Sequence, residues 1–348
     1  YVGIDENVFE ITQGVAIALF ARYHVNALNY NYADLIGSRL TKYAGLSESS
    51  ASTTPWSALK PSHPKWFFLP TSSDEDYEGW PLFTEIIGTG SPKSDRDTRY
   101  GTGIKTRHDG FVVGWTPMDA VSRVTQIANR KETDSALIKE LGLCTTAHFS
   151  IRDARRRSEE PELLTHVKPL TYRPFDRRSV VYLREFICEP KAETMRHMLN
   201  NLAMAVLRRD RKENGAGFFV SRGLIAKDLV SNLDDALVWP LYLLPDENQL
   251  LGKQAGEQVG AANIARKAVT IVTTGLGLKW CEHGCGDLAY TVGPEDIFRY
   301  VYAVCHSPGY RIRYAEFLKI DFPRLPLTGD LDIFRALTQL GGELVALH

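Results

Sequence analysis

Three groups of side chains in this 348-residue sequence have the types and spacing to do chemistry. Asp176, Glu189 and Lys191 follow an Asp…Glu-x-Lys pattern. Two carboxylates and an ammonium in that order are what a metal-dependent nuclease uses to hold Mg²⁺ and orient water. Pro190 stands between the last two, where such a nuclease needs a strand, so chance spacing is the simpler reading. Cys281-Glu282-His283-Gly284-Cys285 could offer zinc two thiolates and an imidazole. The only further ligands at hand are Cys305-His306, not at finger spacing, so a loop with two reduced cysteines is expected instead. His306 is expected to be a satisfied core residue. The third group is cationic: Lys105, Arg107 and His108; Arg173, Arg177 and Arg178; Arg208, Arg209 and Arg211; Arg222 and Lys227.

Several activities are excluded by missing motifs. No two prolines are adjacent, so the Pro-Pro-aromatic motif that holds the target amine in amino-methyltransferases is absent. No glycine-rich loop ends in Lys-Ser/Thr, which removes a phosphate cradle for ATP. Gly101-Thr102-Gly103 and Gly275-Leu276-Gly277 are lone glycine pairs that ordinary turns explain. No Ser/His/Asp set has a nucleophile elbow.

The cations have a pattern that the overall charge conceals. Net charge is −1, yet Lys93–Lys227 holds 26 Lys+Arg against 17 Asp+Glu, leaving the remainder acidic. A basic middle between acidic ends is the footprint of one surface that faces a polyanion. Arginine can clasp a guanine edge with two hydrogen bonds, and Lys or Arg can anchor phosphates. Arg208, Arg209, Arg211, Arg222 and Lys227 are the strongest candidates for such contacts. For Arg173, Asp176 and Arg177, an internal ion-pair network bracing the fold stays open beside DNA contact. Arg152–Arg157 reads as a solvated helix face.

The elements that must position these groups are mixed. Asn7–Ile11 and Val15–Phe20 read as a hairpin around Thr12-Gln13-Gly14, followed by a strand at Leu28–Tyr32 and a helix over Gly37–Leu46. Ser47–Thr54 is a Ser/Thr-rich linker, and Trp66–Pro70 opens a new core. Acidic Asp74–Glu78 reads as a loop, and polar Gly88–Gly103 as a surface loop. Phe111-Val112-Val113 reads as a strand. Thr116 caps a helix that begins at Pro117 and turns Ala120, Val124 and Ile127 inward; another helix spans Ser135–Leu141. Strands are expected at His166–Tyr172, Ser179–Leu183, Ala203–Arg208, Gly217–Ser221 and Ala236–Leu244. Helices are expected at Thr194–Leu199 and Ala261–Val272. Pro294 and Pro308 each open a helix, and Asp321–Pro326 must be extended because a proline keeps its predecessor out of the helical region. Asp332–Leu347 is a final amphipathic helix. Strands and helices mix without regular βαβ alternation, which favours α+β with a mixed or antiparallel sheet and a helical C-terminal part. The longest apolar runs are too short to span a bilayer, the opening lacks a secretory signal pattern, and five scattered cysteines suit a reducing cytoplasm. The chain does not begin with Met and is expected to be a piece of something longer.

Several stretches together resemble one family. Pro294–Leu327, PEDIFRYVYAVCHSPGYRIRYAEFLKIDFPRLPL, resembles the C-terminal signature of the specificity region of type ISP restriction-modification enzymes and their single-chain relatives. Gly103–Phe111, Tyr172–Arg178, Asn200–Lys212, Ser221-Arg222 and Trp239–Leu243 resemble further family segments in the same order. The opening NVFEITQGVAIALFAR resembles the last hairpin of the family's methyltransferase core. The polar insert around Gly88–Tyr100 and the cysteines at 281 and 285 depart from the family pattern.

The resemblance implies a methyltransferase remnant over residues 1–46, a DNA target-recognition domain over 47–290 and a helical brace over 291–348. It implies sequence-specific recognition of double-stranded DNA, with no catalysis and no cofactor in this chain. S-adenosylmethionine, ATP and Mg²⁺ would serve upstream methyltransferase, translocase and nuclease domains of the same polypeptide. The alternatives are a nuclease or methyltransferase fragment acting alone and a protein-binding coupling module. The Pro294–Leu327 stretch is not expected to touch bases, and only its Arg311 and Arg313 are kept as candidates for phosphate contact.

Overall fold

The structure, a computed structural model, describes residues 5–11, 15–20, 29–61, 68, 75–88, 100–144, 146, 148–198, 201–207, 217–230, 235–244 and 260–348. The chain divides into two compact units, Tyr1–Glu75 and Asp76–His348.

In the first unit, Tyr30–Tyr32 pairs antiparallel with Ser57–Leu59. The intervening helix runs Arg39–Glu48, capped by the Ser38 hydroxyl, which accepts from the Thr41 amide. It continues two residues past Leu46, the end expected from the sequence, and Ser49 closes it by donating to the Gly45 carbonyl. Lys42 is buried against Asp5, at 2.8 Å. The hairpin expected from Asn7 to Phe20 is not formed at its described residues, 5–11 and 15–20. Ile17, Leu19 and Phe20 are largely exposed, so their alternation has no sheet to cover it. Thr12-Gln13-Gly14 lies outside the described residues, as does most of Trp66–Pro70.

The second unit holds two four-stranded sheets among helices, the α+β arrangement expected from the sequence. In the first, the order is Val113–Gly114, Asp176–Val181, Val167–Arg173, Leu224–Ile225. Its last pair is parallel and the others antiparallel. The second sheet, Gly101–Thr102, Ala236–Pro240, Ala203–Leu207 and Phe218–Ser221, is antiparallel throughout. Ala203–Leu207 is buried at every position, which explains its unbroken apolar run. Val112, Val124, Val180, Ile225 and Val238 join one core that spans both sheets.

Local rules place most helices. Thr116 accepts from the Asp119 amide at 3.1 Å, Pro117 takes the first turn, and Ala120, Val124 and Ile127 are fully buried. Phe111-Val112-Val113 departs from the expected strand. Asp109–Val112 is a helical turn, and only Val113–Gly114 joins the sheet. Glu75–Gly79 is a short helix rather than a loop, because Tyr77 is buried against Tyr314 and Phe317 at ring distances of 4.5 and 4.6 Å. The helix expected from Ala261 starts at Arg266, because Ala261–Ala262 pairs with Tyr242–Leu243; it runs to Leu276 and ends at left-handed Gly277.

The C-terminal part is a helix pair. Pro294–His306 begins where Asp296 accepts from the Gly293 and Gly286 amides, at 2.9 and 2.6 Å. Leu331–Leu347 packs on it at Gly341, where an added Cβ would overlap the Arg299 carbonyl oxygen.

Candidate nucleic-acid interface

The Val167–Arg173 and Asp176–Val181 strands form a hairpin whose two-residue turn is Pro174-Phe175. Pro174 suits the first turn position, but Phe175 holds φ 61°, a conformation glycine adopts more readily. Its ring is 73% exposed, touching His348 edge-on. Arg107 and Lys191 also hold positive φ, at 64° and 51°. Such strain costs on the order of 1 kcal/mol or more per residue and concentrates where a surface is built for function.

Arg107 and Lys191 flank one acidic hub. The Glu189 carboxylate meets Arg107 at 3.1 Å, Lys191 at 3.0 Å and Lys227 at 4.0 Å. Lys227 also meets Asp235 at 3.3 Å, and Lys105 meets Asp228 at 3.9 Å. The Lys105 and Glu189 backbones bridge through reciprocal hydrogen bonds of 3.0 and 2.9 Å, which brings the two segments together. Partial burial pushes the Glu189 carboxyl up, but hydrogen bonds from Lys191 and Arg107 outweigh it and hold the group below the usual range. The hub stays anionic and orders cations that outnumber its charges.

Beside the hub lies a cleft of about 260 Å³, lined by Lys105, Arg107, Tyr172, Arg173 and Asp228 among others. The Tyr172 hydroxyl donates to Asp109 at 2.7 Å, which fixes the ring as part of the cleft wall. Arg173 lies over that ring at 4.2 Å. Arg178 is gripped differently: Asp176 takes it in a two-pronged pair with contacts of 2.8 and 3.0 Å, and its guanidinium lies between the Trp115 and Tyr172 rings, at 4.2 and 4.1 Å. Of the two readings for this cluster, the brace fits Arg178. Arg177 is exposed and donates to the His348 carbonyl at 3.1 Å. Arg222 is exposed in the turn after Phe218–Ser221 and has no partner among the described residues.

Among the residues expected from the sequence, Lys105, Arg107, Arg173 and Lys227 therefore come together, with Arg177 and Arg178 on the adjoining hairpin. Arg208, Arg209 and Arg211 lie outside the described residues. His108 departs from the set: it is 5% exposed, and its Nε2 contacts the Phe186 carbonyl oxygen at 2.8 Å, so the ring faces the interior. Trp115 was missed, although it is 65% exposed and stacks on Arg178. Its only sequence signal is a large aromatic outside any buried period. The Arg152–Arg157 face pairs with Asp134, Asp153 and Glu160, as a solvated helix face should. In the nuclease-like triple, Asp176 is engaged by Arg178 and Glu189 by its cations.

A family model for the type ISP C-terminal specificity domain matches residues 98–348. Among solved structures, the chain is similar to one described as a DrdV–DNA complex, with TM-score 0.57, 20% identity, 89% of this chain and 29% of that one. It is also similar to the ATP-dependent type ISP restriction-modification enzyme LlaBIII bound to DNA, with TM-score 0.54, 18% identity, 92% of this chain and 20% of that one. A nuclease-deletion mutant of the type ISP enzyme LlaGI, in complex with a DNA substrate mimic, gives TM-score 0.53, 18% identity, 93% and 24%. This chain thus spans less than a third of each of these three structures. No curated protein matches it.

Proposed function

Because the chain belongs to the type ISP C-terminal specificity domains, we propose that it recognises a target sequence in double-stranded DNA through the cleft and hairpin just described. The observation that carries this reading is the convergence of Lys105, Arg107 and Arg173 on one open cleft, beside the Glu189 hub that pairs with Arg107 and Lys227. The cations are held at defined positions yet remain partly exposed, so a phosphate can replace the carboxylate partner. Exposed Phe175, in the hairpin's turn, and Trp115, just after the neighbouring strand, offer apolar faces near those charges. Arg222 extends the set, and Arg208, Arg209 and Arg211 belong to it on the sequence reading. The structures it resembles are complexes with DNA or a DNA substrate mimic, which supports the same partner here.

In this reading the chain itself is non-catalytic and works in a longer polypeptide in the bacterial cytoplasm. Upstream methyltransferase, translocase and nuclease domains would use S-adenosylmethionine, ATP and Mg²⁺. The uncovered Ile17, Leu19 and Phe20 fit a methyltransferase remnant over residues 1–46 whose sheet lies elsewhere. Among the described residues, no helix is long and apolar enough to cross a membrane. The test is gel retardation of duplex DNA by this chain at increasing salt. Retardation that is sequence-selective and weakens steeply with salt is expected. Cleavage or methyl transfer by the chain alone would replace this reading with the enzymatic one.

A further inference from the structure

Beneath the basic segment, three side chains from distant parts of the sequence meet. His108, Cys144 and Cys188 place a ring nitrogen and two sulfurs all within 4.8 Å of one another. His108 and Cys188 are buried, and Cys144 is half-buried. A carbonyl can only accept, so the His108 Nε2 contact with Phe186 O requires the proton on Nε2. The neutral ring then turns its Nδ1 lone pair to the Cys144 side, where it accepts from the Cys144 amide at 3.4 Å, a long hydrogen bond that a metal ion would replace. A ring N–H donated to a backbone carbonyl is the arrangement found behind metal-ligating histidines.

The sulfurs of Cys144 and Cys188 touch as in a disulfide, but their Cα atoms are 7.9 Å apart. Disulfides span Cα separations of about 4.4–6.8 Å. Two thiolates sharing a zinc ion, each about 2.3 Å from the metal, tolerate a wider backbone gap. The Thr146 hydroxyl lies 3.7 and 3.8 Å from the two sulfurs.

We propose that His108 Nδ1, Cys144 Sγ and Cys188 Sγ form a structural site for Zn²⁺, with Thr146 or a water it holds in the fourth position. Binding converts two thiols to thiolates and releases two protons, with no change of oxidation state. The ion ties three segments together. One carries Lys105 and Arg107, and another carries Glu189, next to Cys188. The site thus lies under the hub that orders the cleft, but its existence does not depend on what the cleft binds. The Cys281–Cys285 loop, which has the more suggestive local sequence, is not part of any such group among the described residues.

The test is the metal content of the chain purified in reductant without chelator, measured by elemental mass spectrometry on DNA-free protein. About one zinc per chain is expected, with zinc lost in both Cys144→Ser and Cys188→Ser and kept in Cys281→Ser/Cys285→Ser. A misfolded variant is guarded against by Co²⁺ substitution of the unaltered chain. Thiolate-to-cobalt charge-transfer bands are expected there, with two protons released per ion. A metal-free chain whose mass shows a Cys144–Cys188 disulfide overturns the proposal. So does one with both thiols free that takes up neither Zn²⁺ nor Co²⁺. Zinc retained without Cys144 and Cys188 also overturns it. DNA binding is read separately, so its failure leaves the metal result standing, and the reverse.

Discussion

Around Glu189, charged side chains meet beside an open cleft; around the Pro294–His306 helix, tyrosines and a histidine meet in a closed interior. In the cleft, Lys105 and Arg107 keep some solvent and pair with Asp228 and Glu189 at 3.9 and 3.1 Å. In the helix pair, Tyr300 is stacked on Phe334 at 4.9 Å and its hydroxyl donates to the Pro326 carbonyl. Burial pushes its phenol up to about 12. Tyr310 donates to the Arg324 carbonyl at 2.6 Å, and His306 is satisfied by the Tyr302 carbonyl at 2.9 Å. The same kinds of polar group therefore serve opposite ends. Where they are buried with one fixed partner they specify the fold, and where they are half-exposed with several partners they leave a surface that can bind.

If that contrast is right, changes in the two regions separate stability from DNA affinity. The largest effect is expected from Gly341→Leu, which drives a side chain into the Arg299 backbone. A loss of about 3 kcal/mol or failure to fold is expected, read by urea denaturation. An unchanged midpoint would remove the helix pair as a brace. Next, joint replacement of Lys105, Arg107 and Lys227 by Ala should weaken DNA binding by about tenfold to a hundredfold and flatten its salt dependence. Circular dichroism melting should change little, since half-exposed pairs contribute about 0–1 kcal/mol each.

Glu189→Gln should act in the opposite direction. It frees three cations from a carboxylate, so affinity for nonspecific duplex should rise a few-fold while stability falls by about 1 kcal/mol or less. Weaker binding would mean that ordering the cations outweighs freeing them. The smallest effect concerns pH. Burial lowers the pKa of His306, near Tyr302, His348 and Arg311. The unfolded imidazole takes its proton near pH 6.5 and the folded one only at lower pH. This contribution to stability is whole above about pH 6.5 and fades as pH falls below it. The unfolding midpoint should drop between pH 7 and 5, less steeply in His306→Gln.

Local chemistry was legible in the sequence. The Thr116 cap with Pro117, the Pro294 and Pro308 starts, and the five-residue Ala203–Leu207 strand follow from capping, fixed φ and apolar period. Elements settled by distant partners were not. Asp109–Val112 carries β-branched and aromatic residues yet coils, and Glu75–Gly79 is acidic yet helical because Tyr77 reaches Tyr314. The cleft was half legible: clustered cations marked the region, but the hub joins Arg107 to Glu189 across 82 residues. His108 read as a surface cation because Arg107 and Lys105 precede it, whereas its neighbour in space is Phe186. Cys144 and Cys188 are 44 residues apart, a spacing that carries no motif, while the compact Cys281–Cys285 segment drew attention without gathering ligands.

The central claim is that this domain reads DNA sequence through the basic cleft, and selection from a randomised duplex pool tests it most directly. Bound DNA would be sequenced after rounds of selection at moderate salt, with the chain and its Lys105/Arg107/Lys227→Ala variant side by side. One short asymmetric sequence enriched by the chain, and lost or relaxed in the variant, is the expected result. Equal retention of all duplexes, or the same sequence enriched with the same strength by both proteins, would contradict it.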